Sequence, residues 1–173
     1  GEGYVDIPDI TSDIQNYERK LDFELESSQI GNSEMQYLDF AYANSLIRTF
    51  MNDSSLVLTI RGRKYTPSFK FNIGNYSLEV ESVQTEVDAG YEGKASIVLI
   101  EAKNTSASNT IIRQLYYPYR QWQINTTKEV LPVFFEKRVI DGENIFYIWQ
   151  YAFTDSNNYD SIKLVQSGRF RII

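Results

Sequence analysis

The pattern of apolar and polar positions predicts one strand more clearly than any other element. Residues 96–100 are almost entirely β-branched or aliphatic, which is typical of a strand buried on both faces. Glu101, Ala102 and Lys103 follow this run directly. Because side chains two apart on a strand point to the same side, we expect Glu101 and Lys103 to project together while Ala102 returns to the packing.

The same pattern predicts a helix before this strand and a helix after it. Asn32 and Ser33 provide an N-cap, and apolar residues recur at three and four positions from Met35 to Phe50, which indicates a helix over residues 33–51. Further strands are expected near residues 56–61, 64–73, 76–88, 129–137, 144–153 and 161–172, with turns at residues 74–75 and 90–93.

The second helix is expected to begin near residue 111 and to include residue 122. One side of it carries a polar and aromatic stripe formed by Arg113, Gln114, Tyr117 and Gln121. The opposite side is expected to pack through Leu115, Tyr119 and Trp122. Pro118 is expected to end or kink the helix.

Composition restricts the chemistry that this chain can perform. Its 173 residues, 42% of them hydrophobic and including 13 tyrosines, are enough for a single folded domain. The chain has no cysteine and no histidine, which excludes disulfides, thiolate or imidazole metal sites and every histidine-based triad. The sequence shows neither a signal peptide nor an apolar stretch long enough to span a membrane, so that a cytoplasmic location without a membrane partner is expected.

Asp88, at the end of the preceding predicted strand, completes a set of groups suited to phosphodiester hydrolysis. Mg²⁺ prefers oxygen ligands and is usually held by one or two carboxylates, a role that suits Asp88 and Glu101, with the main-chain carbonyl of Ala102 as a third ligand. Lys103 could orient or deprotonate the attacking water and contribute positive charge toward the phosphate. The alternative is that Glu101 and Lys103 form an ordinary surface ion pair.

These residues resemble a known family. Asp88, a hairpin-length gap, Glu101-Ala102-Lys103 and a following helix with Gln114 are similar to the PD-(D/E)xK nuclease superfamily, and within it to the type II restriction endonucleases. The resemblance covers about residues 30–135 and departs from the motif at Val87, where the motif has proline. It implies an α/β (α+β) fold with a restriction endonuclease-like core, in which helices flank a central mixed β-sheet that carries the metal site.

The resemblance also implies roles for residues on the helices. In this family a glutamine on the helix after the Glu-x-Lys strand lines the active site, so Gln114 is expected to act there with Arg113 as a phosphate contact. A glutamate of the first helix reaches the metal site in many members, which makes Glu34 a further catalytic candidate. Glu34 is equally well explained as a first-turn carboxylate favoured by the helix dipole, and Gln36 and Asp39 lie near it on the same helix.

The net charge of −6 is unusual for a DNA-binding protein, but the charges are unevenly distributed. Residues 1–55 contain 11 acidic and 3 basic residues, whereas residues 56–173 contain 12 acidic and 14 basic residues. Candidate contacts to DNA phosphates within the second part are Arg61, Arg63, Lys64, Arg113 and Arg120. Taken singly, each is explained as well by ordinary surface charge.

The sequence therefore predicts a magnesium-dependent endodeoxyribonuclease, most like a type II restriction enzyme that cuts double-stranded DNA as a homodimer. A repair or recombination nuclease of the same fold would use the same residues. A non-catalytic DNA-binding or interaction module is the other alternative, although the intact set of Asp88, Glu101 and Lys103 favours an enzyme. Residues 1–30 are interpreted as an N-terminal arm or cap of this one domain, and the sequence leaves open whether it is a fragment of a longer protein.

Overall fold

The fold is described from a computed structural model, which covers residues 3–103 and 109–173, with the backbone alone described for residues 109–111. The helices are α1 (Glu34–Ala43), α2 (Leu46–Phe50) and α3 (Ile112–Asn125). The strands are β1 (Tyr4–Asp6), β2 (Gln15–Tyr17), β3 (Val57–Tyr65), β4 (Phe69–Ile73), β5 (Tyr76–Val80), β6 (Gln84–Glu92), β7 (Ser96–Lys103), β8 (Asn109–Ile111), β9 (Glu129–Ile140), β10 (Glu143–Phe153) and β11 (Ile162–Ile172).

A large mixed sheet organises the described part of the chain and confirms the predicted mixed α/β class. Its seven described strands run in the order β2-β11-β10-β9-β7-β6-β3. Strand β7 is parallel to β9 and β2 is parallel to β11, whereas the other neighbours are antiparallel. Two-stranded pairs β1-β8 and β4-β5 lie outside this sheet. Among the described residues, no helix combines the length and apolarity needed to cross a bilayer.

Strand β7 lies inside the sheet and is buried on both faces, as its sequence predicts. Ile97 and Leu99 contribute to a core that also contains residues of α3, which we call the α3-side core. Val98, Ile100 and Ala102 contribute to a second core with residues of α1 and α2, the α1-side core. The helices therefore pack against opposite faces of the sheet, and β7 passes between the two cores.

The helix predicted over residues 33–51 is two helices. Ser33 caps α1 as predicted, because its hydroxyl accepts a hydrogen bond from the Gln36 amide at 3.2 Å. The break follows Asn44, whose carbonyl accepts a hydrogen bond from the Tyr17 hydroxyl at 2.7 Å, and Ser45 has a left-handed conformation with φ 64°. The hydrophobic periodicity continues across this break, because α1 and α2 both pack into the α1-side core.

Glycines account for two differences from the predicted strands. The strand predicted at residues 56–61 continues across Gly62, which has φ 86° and still pairs with β6, so that β3 reaches Tyr65, whereas the rest of the strand predicted at residues 64–73 is the separate strand β4. Gly90 was expected in a turn but lies within β6, where a Cβ atom would come within 2.6 Å of Ile60. Gly90 therefore permits a close approach of two strands, and the chain turns after Glu92. The predicted turn at residues 74–75 is confirmed, because it joins β4 to β5.

Helix α3 continues through Pro118 to Asn125, so this proline does not end it. Leu115 and Tyr119 are buried as predicted, but Gln121 is buried too and forms a hydrogen bond with Thr85 of β6. This contact fixes how α3 lies against β6, with the later part of the helix near the beginning of the strand.

The N-terminal segment packs against the sheet. Strand β1 pairs with β8, and β2 extends the large sheet beside β11. Ile7 and Ile10 enter the α3-side core, and the Trp149 indole N–H donates to the Pro8 carbonyl at 2.8 Å. The described residues of this segment therefore belong to the same packed unit as the sheet.

Candidate active site

Asp88 lies in a β-bulge of β6. The pairing with β3 changes register there, so that Asp88 and Ala89 together lie opposite Arg61. The extra residue alters which face the neighbouring side chains occupy, because Val87 packs in the α3-side core but Ala89, two positions on, packs in the α1-side core. Bulges frequently re-aim a side chain next to a functional site.

The bulge directs the Asp88 carboxylate into the gap between β6 and β7. Backbone pairing of these strands ends at Ala89 and Ile100, and beyond it Asp88 Oδ2 accepts a hydrogen bond from the Ala102 amide at 2.7 Å. The amide and carbonyl of one residue in a strand point to the same neighbour, so the Ala102 carbonyl faces this gap as well. The Ala102 side chain is fully buried in the α1-side core.

Glu101 and Lys103 project from β7 together, as the strand pattern predicts. Lys103 Nζ lies 3.1 Å from Glu101 Oε1, and the Glu101 side chain is only 14% exposed. This ion pair is therefore less accessible to solvent than an ordinary surface pair, for which the cost of ordering and the screening by water nearly cancel the attraction.

The predicted catalytic residues line one cleft with a volume of about 510 Å³. Asp88 from β6 and Glu101 and Lys103 from β7 form its base, Glu34 approaches from the start of α1, and Gln114 lies at the start of α3. The remaining lining residues are Val83, Gln84, Thr85, Glu86, Arg113, Tyr117 and Pro118. Residues far apart in sequence therefore converge around the β6-β7 gap.

The two partly buried carboxyls, those of Asp88 and Glu101, resist ionisation. Burial raises the pKa of Glu101 to about 7, with the negative charge of Asp88 acting in the same direction and Lys103 opposing both. Burial also raises the pKa of Asp88, although the Ala102 amide and Lys103 partly offset this. The cleft thus contains unfavourable negative charge that a bound cation would stabilise.

Lys103 remains a cation in this setting. Burial alone would lower the pKa of its ammonium group, but the pair with Glu101 and the nearby Glu34 and Asp88 carboxylates outweigh burial and raise it. Burial raises the pKa of Glu34, Lys103 opposes this, and Asp88 adds to it. Glu34 therefore lies within electrostatic range of the other catalytic candidates, whereas Gln36 caps its own helix and Asp39 pairs with Arg61.

The raised pKa of Glu101 predicts a pH-dependent effect on stability. Between pH 4.5 and about 7 the folded state holds a proton that the unfolded state releases, so the free energy of unfolding falls as pH rises through this window. We expect Glu101→Gln to increase the free energy of unfolding at pH 8, without metal, by on the order of 1–3 kcal/mol and to change it little at pH 5.

Urea unfolding at both pH values, in buffer with EDTA, measures this effect. Glu18→Gln makes the same charge change at an exposed position and is expected to have little effect at either pH. A Glu101→Gln variant that is less stable than the parent at pH 8 would contradict the unfavourable ionisation of Glu101.

The predicted phosphate contacts differ in whether they already form ion pairs and in whether they line the cleft. Arg61 pairs with Asp39 at 2.7 Å and Arg63 lies 3.7 Å from Glu86, both at exposed positions on β3. Lys64 is exposed on the same strand, and Arg113 is exposed where it lines the cleft. Arg113 is therefore the predicted phosphate contact that adjoins the catalytic candidates.

Arg120 requires a correction. It is 8% exposed, and its Nη1 atom donates to the carbonyls of Lys70 and Ser156 at 2.9 and 3.2 Å and to the Tyr116 hydroxyl at 2.9 Å. The guanidinium also packs over the Phe69 ring. Arg120 holds α3 against neighbouring segments, so we remove it from the candidate phosphate contacts.

Some residues of the cleft were not predicted. Thr85 and Tyr117 line it. The alternation of β6 indicates the face of the sheet on which Thr85 lies, and the stripe of α3 indicates the face of the helix on which Tyr117 lies. Neither pattern indicates that the two faces enclose a cavity. Glu92, in contrast, lies at the last position of β6 and pairs with Lys128 at 2.7 Å.

Comparison with protein families gives a match over nearly the whole chain. The family described as a domain of unknown function, DUF6997, matches residues 1–171. The chain belongs to the DUF6997 family. No curated protein and no solved structure matches it. For this DUF6997 chain, functional inference therefore depends on the chemistry of the cleft.

The cleft of this DUF6997 chain suits Mg²⁺ better than a softer metal. The described residues contain no preformed group of three histidine, cysteine, aspartate or glutamate ligands. Mg²⁺ does not require such a group, because it commonly binds through one or two carboxylates and retains water molecules. Asp88 and Glu101 supply the carboxylates, and the Ala102 carbonyl faces the same gap, so the donor set and its excess negative charge fit this ion.

Proposed function

We propose that this chain is a magnesium-dependent endodeoxyribonuclease with a PD-(D/E)xK site on a restriction endonuclease-like core. The observation that carries the proposal is the convergence of Asp88, Glu101 and Lys103 in one cleft, with both carboxyls desolvated and Lys103 Nζ 3.1 Å from Glu101. Buried carboxylates next to a lysine are costly for folding, and such groups cluster at functional sites. Metal-assisted hydrolysis of a phosphodiester uses this combination.

Each residue has a chemical role in this proposal. Mg²⁺ held by Asp88, Glu101 and the Ala102 carbonyl would neutralise charge on the scissile phosphate and make a bound water more acidic. Lys103, kept protonated by Glu101, donates hydrogen bonds toward the phosphate and the attacking water. Because Lys103 stays charged, it orients the attacking water and does not remove its proton. Of the two roles that the sequence left open for Lys103, we therefore propose the first.

Residues on the helices complete the binding of the phosphate. Arg113 adds positive charge at the mouth of the cleft, and Gln114 lies beside it to orient the substrate. Glu34 offers an acceptor for a water molecule from the α1 side of the cleft. We further propose double-stranded DNA as the substrate and a homodimer as the active form, because cutting both strands requires one site for each strand.

The test is incubation of the purified protein with supercoiled plasmid or phage DNA, with Mg²⁺ or with EDTA, followed by gel electrophoresis. We expect nicked and linear DNA only with Mg²⁺. Discrete fragments would favour a restriction enzyme and a smear would favour a nuclease of broader specificity, as in repair or recombination. DNA that remains intact in Mg²⁺ would contradict the proposal, and intact DNA with retarded migration would favour a non-catalytic binding module.

A further inference from the structure

The cleft extends well beyond the catalytic candidates. Asp88 and Gln84 both line it, and they are four positions apart on strand β6, a distance of about 13 Å. The hydrogen bond between Thr85 and Gln121 brings the later part of α3 to the Gln84 end of β6. Tyr117 and Pro118 lie between Gln114 and Gln121 on α3, about one helical turn from each, so they form the wall of the cleft between the catalytic candidates and this end.

The two ends of the cleft have different chemistry. The end at Asp88 contains Asp88, Glu101 and Lys103, whereas the far part, toward Gln84, combines the apolar and aromatic surfaces of Val83, Tyr117 and Pro118 with the amide of Gln84. The exposed Glu86 lies between the two parts. Hydrolysis of a phosphate needs none of these far-end groups. A ring wall together with an amide donor and acceptor is the composition that recognises a nucleobase, whose face stacks and whose edge forms hydrogen bonds.

Tyr117 is held in place at this wall. Its ring makes edge contacts with Phe69 and Phe71 of β4, with ring centroids 5.6 and 5.9 Å apart. The side chain is only partly buried by these contacts and remains part of the cleft lining. A ring fixed by two neighbours loses little conformational entropy when a base stacks on it, which favours its use as a binding surface.

We propose that the Val83-Gln84-Tyr117-Pro118 end of the cleft is a subsite for a single unstacked nucleobase. The inference rests on the proposed function for the position of the scissile phosphate at Asp88 and Glu101, and it adds the class of substrate. A base can enter this subsite only when it leaves its stack. The preferred substrate is therefore DNA with an unpaired or extruded nucleotide close to the bond that is cut.

The test measures binding separately from hydrolysis. A short fluorescein-labelled single strand and a strand of equal length made of abasic nucleotides are titrated with protein in Ca²⁺, which takes the same oxygen ligands as Mg²⁺, and anisotropy is recorded. The two strands have the same phosphates, so their affinity ratio reports the bases. We expect the strand with bases to bind about 10-fold more tightly, because stacking on one aromatic side chain contributes in this range.

Variants assign this ratio to the subsite. Tyr117→Ala is expected to bring the ratio close to one, Tyr117→Phe to preserve most of it, and Gln84→Ala, at an exposed position, to reduce it severalfold. Tyr76→Ala removes a tyrosine that is 71% exposed on β5 and is expected to leave the ratio unchanged. Circular dichroism checks that each variant is folded. If Tyr117→Ala is unfolded, the ratio measured for Gln84→Ala tests the subsite.

The outcomes separate the two proposals. Equal affinity for the two strands, no measurable binding of either strand, or a ratio that survives both Tyr117→Ala and Gln84→Ala would overturn the nucleobase subsite. A base-dependent ratio that the variants remove supports the subsite even if plasmid DNA stays intact in Mg²⁺, in which case the hydrolytic proposal alone fails. Plasmid cleavage together with an affinity ratio of one would support the hydrolytic proposal and overturn the nucleobase subsite.

Discussion

Lys103→Ala and Asp88→Asn are each expected to reduce magnesium-dependent DNA cleavage by at least about 10³-fold while the protein remains folded. Lys103 is the protonated donor closest to Glu101, and its loss removes positive charge from the point where charge develops on the phosphate. Asp88→Asn keeps the shape of the side chain but removes one of the two carboxylates proposed as ligands of the ion. The rate of conversion of supercoiled plasmid to nicked or linear DNA is the measurement.

Lys94→Ala is the matched control for the lysine. Lys94 lies in the turn that joins β6 to β7, at the other end of the hairpin from Lys103, and its side chain is exposed. Removal of this charge is expected to leave the cleavage rate within about twofold of the parent, as for most surface substitutions. Full activity of both Lys103→Ala and Asp88→Asn would mean that the cleft is not the catalytic site.

Hydrophobic patterning predicted the central sheet well. The strand predicted at residues 96–103 coincides with β7, and the strands predicted near residues 129–137, 144–153 and 161–172 correspond to β9, β10 and β11. Strands β7, β9 and β10 are rich in β-branched and aromatic residues and are largely buried, so local preference and tertiary packing favour the same conformation. The mixed α/β class was implied by the resemblance, and the strands and helices predicted from the pattern are consistent with it.

Predictions failed where tertiary contacts override a local pattern. The apolar positions of residues 33–51 continue across Asn44, but a hydrogen bond from Tyr17, a residue 27 positions earlier, holds the chain where α1 ends. Gly90 has the composition of a turn, yet the close approach of Ile60 explains it within a strand. Neither contact can be recognised without knowing which segments are adjacent.

The sequence predicted which residues belong to the candidate site better than it predicted how they are arranged in space. The period-two pattern of β7 correctly placed Glu101 and Lys103 on one side and Ala102 in the core. The position of Asp88 depends on a bulge, and a one-residue insertion leaves no signal in a sequence that alternates on both sides of it. Asp88 was a candidate because it ends the predicted strand that precedes β7, but its hydrogen bond to the Ala102 amide was not predictable from spacing.

Arg120 illustrates the limit of assigning basic residues from sequence. It follows Arg113 on α3 by seven positions, close to two turns, and a helical pattern alone does not distinguish the two. Arg113 is exposed at the cleft, but Arg120 meets two main-chain carbonyls supplied by other segments. Buried arginines are found where several acceptors converge, and such acceptors belong to the tertiary structure.

Arg120→Ala is accordingly expected to lower the free energy of unfolding by about 3 kcal/mol. The substitution leaves the Lys70 and Ser156 carbonyls without this donor, removes a partner of the Tyr116 hydroxyl, and opens space beside the Phe69 ring. This guanidinium bonds both strand β4 and the segment around Ser156 to α3, and the Tyr116 hydroxyl also donates to the Ser156 carbonyl. Urea unfolding followed by tryptophan fluorescence measures the loss.

Arg113→Ala is the control on the same helix, since it removes the same charge from an exposed position and is expected to change the free energy of unfolding by less than about 0.5 kcal/mol. The order of the two effects is expected to reverse when binding of single-stranded DNA is measured, with Arg113→Ala the more damaging substitution. Arg113→Ala should weaken binding and reduce its salt dependence, because it removes a contact to phosphate, whereas Arg120→Ala should bind normally at temperatures where it remains folded. If Arg120→Ala were as stable as the parent and bound DNA weakly, Arg120 would be a phosphate contact and its structural role would be wrong.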